Sequence, residues 1–481
     1  MDNGVIKSSV TWSFFSEIAA KLISPIINII LARILLPSDF GVVAVCNMVV
    51  SFVDIITDAG FGKYLVQHEF VDDTEKNNSA VVAFWTNLAV SIFLWIIIFF
   101  NAKSISSLMG NVEYYRVLPI ACLQLIFTSF SSIQIGLLRR EFSFKKLFYV
   151  RIAVSFVPLM ITLPIAFIFR SYWSLIIGNL SAAFINSLLL IIVSKWKPRL
   201  FYSLELLKKM FSYSVWSIAE ALAHWLIFWV DIFIVGKMFD DYYLGIYKNC
   251  SNMIFSLMSM VISAITPVMF SVLSREQNTP KFRTSFLAFE KNVMYVVLPI
   301  GIGIFFYRRL ATLLLFGARW EDGIEVVGCW ALMMMVSILV YNLPAEALKA
   351  GGHPELLFAY QIAYVAVLIP ICIISAKVSF SCFVIARTIS ILVQVILFIF
   401  LLNKYINCSL KQFLKEVKNP MVCGAIVLAA CILASFIPTE HFYVSSFFQI
   451  IIIAAVYMFS ILLLFKDDAT FFLNFFRRRH K

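Results

Sequence analysis

The chain has 481 residues, of which 62% are hydrophobic and only 14% charged, with a formal net charge of +12 and a mean hydropathy of +0.92. This balance excludes a water-soluble globular domain, in which the apolar share is about half. Apolar stretches long enough to cross a hydrocarbon core of roughly 30 Å follow one another along the chain, so the fold class is an all-α integral membrane protein.

About fourteen transmembrane helices are predicted, near residues 11 to 33, 40 to 58, 79 to 100, 117 to 138, 147 to 169, 172 to 193, 211 to 235, 243 to 272, 289 to 308, 324 to 345, 356 to 375, 380 to 402, 420 to 437 and 446 to 465. The first lacks a small-residue cleavage site after a short apolar core and reads as a retained helix rather than a signal peptide. Within it Glu17 and Lys21 lie one turn apart in the favourable acid-first order, and Pro25 follows one turn later, where it would kink the helix. Helix 2 is announced by Pro37 and a capping Asp39, and Gly60 and Gly62 permit a tight turn after it. Asp54 and Asp58, four apart at its inner end, are expected to line a cytoplasmic gate. No third ligand accompanies them, and no metal is expected.

Helix 7 carries Glu220, His224 and Asp231 at i, i+4 and i+11, with Trp216 a turn earlier, so all three polar groups share one helical face. An acid and an imidazole one turn apart are suited to exchanging a coupling proton, and equally to a hydrogen-bonded lock between helices. Ionisable groups deep in a span are costly and usually face a cavity or a partner. On that ground Lys21, Lys248 and Arg387, with Glu17, are read as lining a substrate cavity, whereas Arg151 and Lys291 sit near inner ends and can snorkel to the headgroups.

The nine cysteines form no CxxC pair and read as small buried hydrophobes. The adjacent acids at Asp72 and Asp73, Asp240 and Asp241, and Asp467 and Asp468 are not spaced as a DxD metal ligand, no Walker A sequence is present, and the loops are too short for a soluble enzymatic domain. Glu440 beside His441 is thin support for a membrane-embedded polymerase or acyltransferase. The chain therefore reads as neither an enzyme nor a cofactor protein.

The loops test the topology. Twenty-five of the 39 basic residues fall in segments assigned to the cytoplasm, 9 on the opposite side and 5 within spans. That bias places both termini inside, and it makes the positive charge a matter of topology and anionic lipid rather than of nucleic acid. Sliding the chain on itself by 204 residues yields eight identities over 34 ungapped positions, among them Trp12 with Trp216 and Gly41 with Gly245. Helix 1 then maps onto helix 7, the signature of a parallel repeat with its pseudo-two-fold axis along the membrane normal. The expected organisation is an N-terminal six-helix lobe (1–203), a C-terminal six-helix lobe (204–410), and a segment (411–481) with helices 13 and 14 and a basic tail.

Several stretches carry a family resemblance: LARILLPSDFGVVAV from Leu31, DAGFGKYLVQHE from Asp58, LLRREFSFKKL from Leu137, DIFIVGKMFDDYYLGIYKNCSNMI from Asp231 and PVMFSVLSREQ from Pro267. Together, over roughly residues 5 to 410, they resemble the polysaccharide transporters of the MOP superfamily, the Wzx-type flippases of O-antigen, capsule and colanic acid export. The resemblance implies a two-lobed transporter of the bacterial inner membrane that moves undecaprenyl-diphosphate-linked oligosaccharide from the inner to the outer leaflet. Its implied partners are that lipid-linked substrate, membrane lipids, and the polymerase and chain-length machinery. Family members commonly carry another polar residue just before the aspartate at Asp231, where this chain has Phe228, Trp229 and Val230. A cation-coupled multidrug exporter of the same superfamily and a flippase for the peptidoglycan precursor are the alternatives; the cations Lys21, Lys248 and Arg387 lean away from the first.

Overall fold

The computed structural model describes residues 23–58, 60–436 and 442–465. Among them there are helices and turns and no strand. A backbone in hydrocarbon has no water to satisfy its amides and carbonyls, and the helix satisfies them within one segment.

In chain order the helices are α1 (Ile23–Ile34), α2 (Pro37–Asp58), the short α3 (Phe61–Gln67), α4 (Asp73–Leu108), α5 (Leu118–Arg140), α6 (Phe144–Phe169), α7 (Trp173–Ser194) and α8 (Leu204–Met238). There follow α9 (Asp241–Arg275), α10 (Lys281–Phe306), the short α11 (Arg308–Leu315), α12 (Ala318–Ala350), α13 (Pro354–Ala376), α14 (Phe380–Lys404), the short α15 (Leu410–Glu416), α16 (Lys418–Ser435) and α17 (Phe442–Leu464). Among the described residues, 12 helices are long and apolar enough to span a bilayer, or 13 when the bent α9 is taken as one span. Of the first predicted span (11 to 33), the later part coincides with the shorter apolar helix α1, and the earlier part lies outside the described residues.

Several helices run well past the apolar stretch that announced them. Helix α4 begins at Asp73, six residues before the predicted start, because Asp72 caps it by accepting from the Glu75 amide at 2.7 Å. The bend of 41° in α9 falls beside Ala264. Pro267, inside this helix, removes one backbone bond and crowds the carbonyl four residues earlier. Asp39 is the third residue of α2 and reaches back to accept from the Leu36 amide at 2.9 Å, which fixes the turn between α1 and α2.

By contact the chain divides into two compact units. The first contains residues up to Asn249 together with Gln361–Phe380, and the second contains Cys250–Tyr360 and the chain from Ser381 onward. Two of the three boundaries fall inside continuous helices, α9 and α13, and the third falls at the first residue of α14. In the first unit Phe61, Tyr64 and Leu65 of α3, Phe84 of α4, Ile133 and Leu137 of α5 and Met210 of α8 form one buried apolar cluster. In the second, α10, α16 and α17 meet through Tyr295, Ile302, Cys423, Val427 and Cys431, with Tyr457 packed against them. Eight of the nine cysteines are buried, and all are free thiols.

Candidate functional site

The polar residues that the membrane makes expensive are concentrated in the first unit, where α2, α8 and α9 lie together. Asp231 is 2% exposed. Its Oδ2 accepts from the Tyr247 hydroxyl of α9 at 2.9 Å, and its Oδ1 accepts from the Ile232 amide at 2.8 Å. One residue beyond Tyr247, the Lys248 Nζ stands 4.0 Å from the centroid of the Trp229 ring, within electrostatic reach of Asp231. A cation over an indole face in a desolvated setting is worth roughly 2 kcal/mol. The adjacent Asn249 accepts on its Oδ1 from the Asn28 Nδ2 of α1 at 2.7 Å. Trp225, one turn before Trp229, donates its indole N–H to the Ser51 hydroxyl of α2 at 2.9 Å and packs on Phe52 with ring centroids 5.1 Å apart. Cation, carboxylate, amides and aromatic faces thus sit together about seven residues, or roughly 10 Å, from the adjoining ends of α8 and α9.

The other predicted residues are dispersed. His224 is exposed and packs against the ring of Phe228 at 4.7 Å; Asp231, seven residues on, is buried. The two share a helical face, but that face is covered only toward the end of α8. Glu17 and Lys21 lie outside the described residues, and Glu220 does so in its side chain. Arg387 is 4% exposed and lies within the second unit, its Nη1 3.4 Å from the Ser390 hydroxyl and 3.3 Å from the Met333 sulfur, with its guanidinium 5.7 Å from the Trp330 ring. It is buried in this conformation. Asp54 accepts from the Thr128 hydroxyl of α5 at 3.0 Å, and Asp58 has the charges of Lys63 and Arg139 close by.

Two features escaped the sequence reading. The first is Glu290 of α10, 0% exposed, neither of whose carboxylate oxygens has a hydrogen-bond partner among the described residues. The second is the end of the first unit that carries few basic residues. Here Asp241, at the start of α9, accepts from the Asn111 Nδ2 at 3.0 Å and from the Tyr114 hydroxyl. Burial, reinforced by that carboxylate, raises the Tyr114 pKa above its ordinary value and keeps the hydroxyl a donor. Asp39 accepts from the Tyr172 amide at 2.9 Å. A Cβ built on Gly41 would collide with the Asp241 carbonyl, and one on Gly245 with the Pro37 carbonyl.

These observations define a multi-span helical membrane protein that holds its buried polar residues between helices. The family described as "Polysaccharide biosynthesis protein" matches residues 30–325, and the chain belongs to it. The succinoglycan biosynthesis transport protein ExoT of Rhizobium meliloti is 26% identical over 330 residues, which is 68% of this chain and 66% of that protein. The teichuronic acid biosynthesis protein TuaB of Bacillus subtilis is 21% identical over 442 residues, 91% of this chain and 90% of that one. In fold the chain is similar to the lipid II flippase MurJ in an inward closed conformation, with a TM-score of 0.77, 15% identity, and coverage of 95% of this chain and 99% of that one. It is also similar to an inward-facing multidrug resistance MATE transporter of the MOP superfamily, with a TM-score of 0.68, 13% identity, and coverage of 81% and 94%. The family is thus that of the polysaccharide biosynthesis proteins, and the fold is the one shared by these two solved transporters.

Proposed function

We propose that the protein flips diphosphate-linked oligosaccharide units, carried on undecaprenol, from the inner to the outer leaflet of the bacterial inner membrane for surface polysaccharide synthesis. The observation that carries this reading is Lys248 held over Trp229 beside buried Asp231, in a chain of the polysaccharide biosynthesis family. A diphosphate is attracted to a cation most strongly where water is excluded, and aromatic faces suit the apolar faces of sugar rings. In this reading Lys21 joins Lys248 in the substrate cavity with Glu17, and Arg387 joins them only if the second unit rearranges. Glu220, His224 and Asp231 serve ion coupling, and Asp54 and Asp58 the cytoplasmic gate. Both termini lie in the cytoplasm, and the two lobes (1–203 and 204–410) alternate access about the parallel axis. Polymerase and chain-length proteins act downstream.

The test is to delete the gene in its host and locate lipid-linked oligosaccharide by leaflet-selective labelling. Accumulation on the cytoplasmic leaflet with loss of surface polymer supports the reading; normal polymer with raised sensitivity to cationic drugs sinks it in favour of a multidrug exporter. Complementation with Lys248→Gln should lower polymer export at least tenfold at equal amounts of folded protein, and full export would remove Lys248 from the site.

A further inference from the structure

The two close approaches of glycine at the end of the first unit are related. Gly41 of α2 meets the carbonyl of Asp241, and Gly245 of α9 meets the carbonyl of Pro37. The repeat displacement of 204 residues carries Gly41 onto Gly245 and Pro37 onto Asp241. Each glycine therefore rests on the counterpart of the residue that the other glycine touches: position 41 touches the equivalent of 37, and the equivalent of 41 touches 37. Reciprocity of this kind arises at a crossing on a two-fold axis, where a patch meets its own image. The same displacement takes Cys46 onto Cys250, each five residues further along its helix and each fully buried.

The crossing is tight because neither position has a side chain, and it is latched off the axis. Asp241 is bound by Asn111 and Tyr114 from the segment between α4 and α5. In that segment Gly110, at φ +105°, lies against the carbonyl of Gly236 near the end of α8. The latch is one-sided, since the counterpart of Asp241 is Pro37, which offers no carboxylate. Lys248 lies seven residues, or about two helical turns, along α9 from Asp241, directly behind this closure.

We infer that the crossing of Gly41 with Gly245 is the outer gate of the transport cycle, and that the bonds of Asn111 and Tyr114 to Asp241 are the catch that must release before cargo held near Lys248 can leave outward. The inference rests on the flippase reading for which face is outer and for the cargo. Asn111, Tyr114 and Asp241 are positioning residues: they set the balance between closed and open outer ends and need not touch the cargo.

The native thiols report the gate without any cargo. In right-side-out membrane vesicles treated with a membrane-impermeant maleimide, the fraction of Cys46 and Cys250 modified is read by peptide mass spectrometry. The wild type should label slowly at both. Tyr114→Phe, which removes only the catch hydroxyl, should raise labelling of both several-fold. Gly41→Val and Gly245→Val should each raise it further, and the double variant should not exceed the larger single effect, because both wedge one crossing. Gly303→Ala, where a Cβ meets nothing within 4 Å, is the control and should leave labelling unchanged. If the valine variants fail to fold, Tyr114→Phe and Asn111→Ala decide alone. Unchanged labelling in those two, or fully additive effects of the two valines, overturns the gate. Raised labelling in Tyr114→Phe, in a host whose polymer export survives deletion of the gene, keeps the gate and sinks the flippase reading, whereas unchanged labelling with polymer lost on deletion does the reverse.

Discussion

The two units hold their helices together with a different balance of contacts. In the first, residues far apart in sequence are joined by polar side chains: Asn28 with Asn249, Ser51 with Trp225, Asp54 with Thr128, Asn87 with Ser132 at 2.7 Å, and Asp231 with Tyr247. In the second, α10, α16 and α17 pack aliphatic, aromatic and thiol side chains around an apolar groove of about 490 Å³ lined by Ile300, Ile304, Val427, Ile453 and Tyr457, among others, and their hydrogen bonds run mainly to backbone, from the Tyr457 hydroxyl to the Tyr295 carbonyl and from the Gln449 amide to the Ala434 carbonyl. Lipid tails are as apolar as leucine, so apolar packing between spans is adhesive but weakly specific, whereas a hydrogen bond between helices fixes their register. The first unit is thus built to hold particular arrangements, as a closure with a catch requires.

The two buried acids make the contrast testable. Asp231 has a donor on the next helix and a lysine nearby, so removing it strands the Tyr247 hydroxyl and leaves Lys248 without its neighbouring negative charge. Asp231→Ala should therefore cost about 3 kcal/mol, within the range for breaking a buried charged pair, and lower the thermal midpoint in detergent more than changes at Glu290 or Lys209. A midpoint within a degree of wild type would show that the polar links of the first unit do not carry its stability.

Glu290 should respond in the opposite way. Among the described residues its carboxylate has no hydrogen-bond partner to lose, and burying such a group without one is a cost that an apolar side chain of similar size does not incur. Glu290→Leu should leave the midpoint unchanged or raise it, by up to about 2 kcal/mol of stability. A loss of that size would mean that the carboxylate is engaged in a conformation other than this one.

The membrane also explains which features were legible in the sequence. Spans are written as apolar runs because hydrocarbon tolerates little else. Their ends are not, since a helix continues into the headgroup region on ordinary polar residues. That is why α10 starts at Lys281 rather than near 289. The same shift hid Glu290, which stands at the margin of the apolar run but ten residues into the helix. Asp231 and Lys248 were visible as charges inside spans, yet the partner of Asp231 is a tyrosine sixteen residues on in another helix, which no local spacing reveals. Arg387 was visible for the same reason, but a sequence cannot tell a cavity wall from the interior of a unit lined by Trp330 and Met333. The glycine crossing was present in the repeat register as Gly41 and Gly245. Only coordinates turn two equivalent glycines into a reciprocal contact.

The smallest effect belongs to the exposed rim of the first unit, where Lys209 reaches Glu75 at 3.0 Å. The hydrogen bond and charge of Glu75 raise the Lys209 pKa above its ordinary value. A raised lysine pKa contributes stability that is complete below the unfolded value, about 10.4, and is lost only as pH rises through the folded one. The pair is solvent-exposed and screened, so it should matter little even where that contribution is complete. Lys209→Gln should leave the midpoint unchanged at neutral pH, and wild type and variant should not diverge as the pH is raised to about 9. A clear loss of stability in Lys209→Gln at neutral pH would place an organising polar link at the rim as well as between the buried helices, and would extend the contrast between the units to their surfaces.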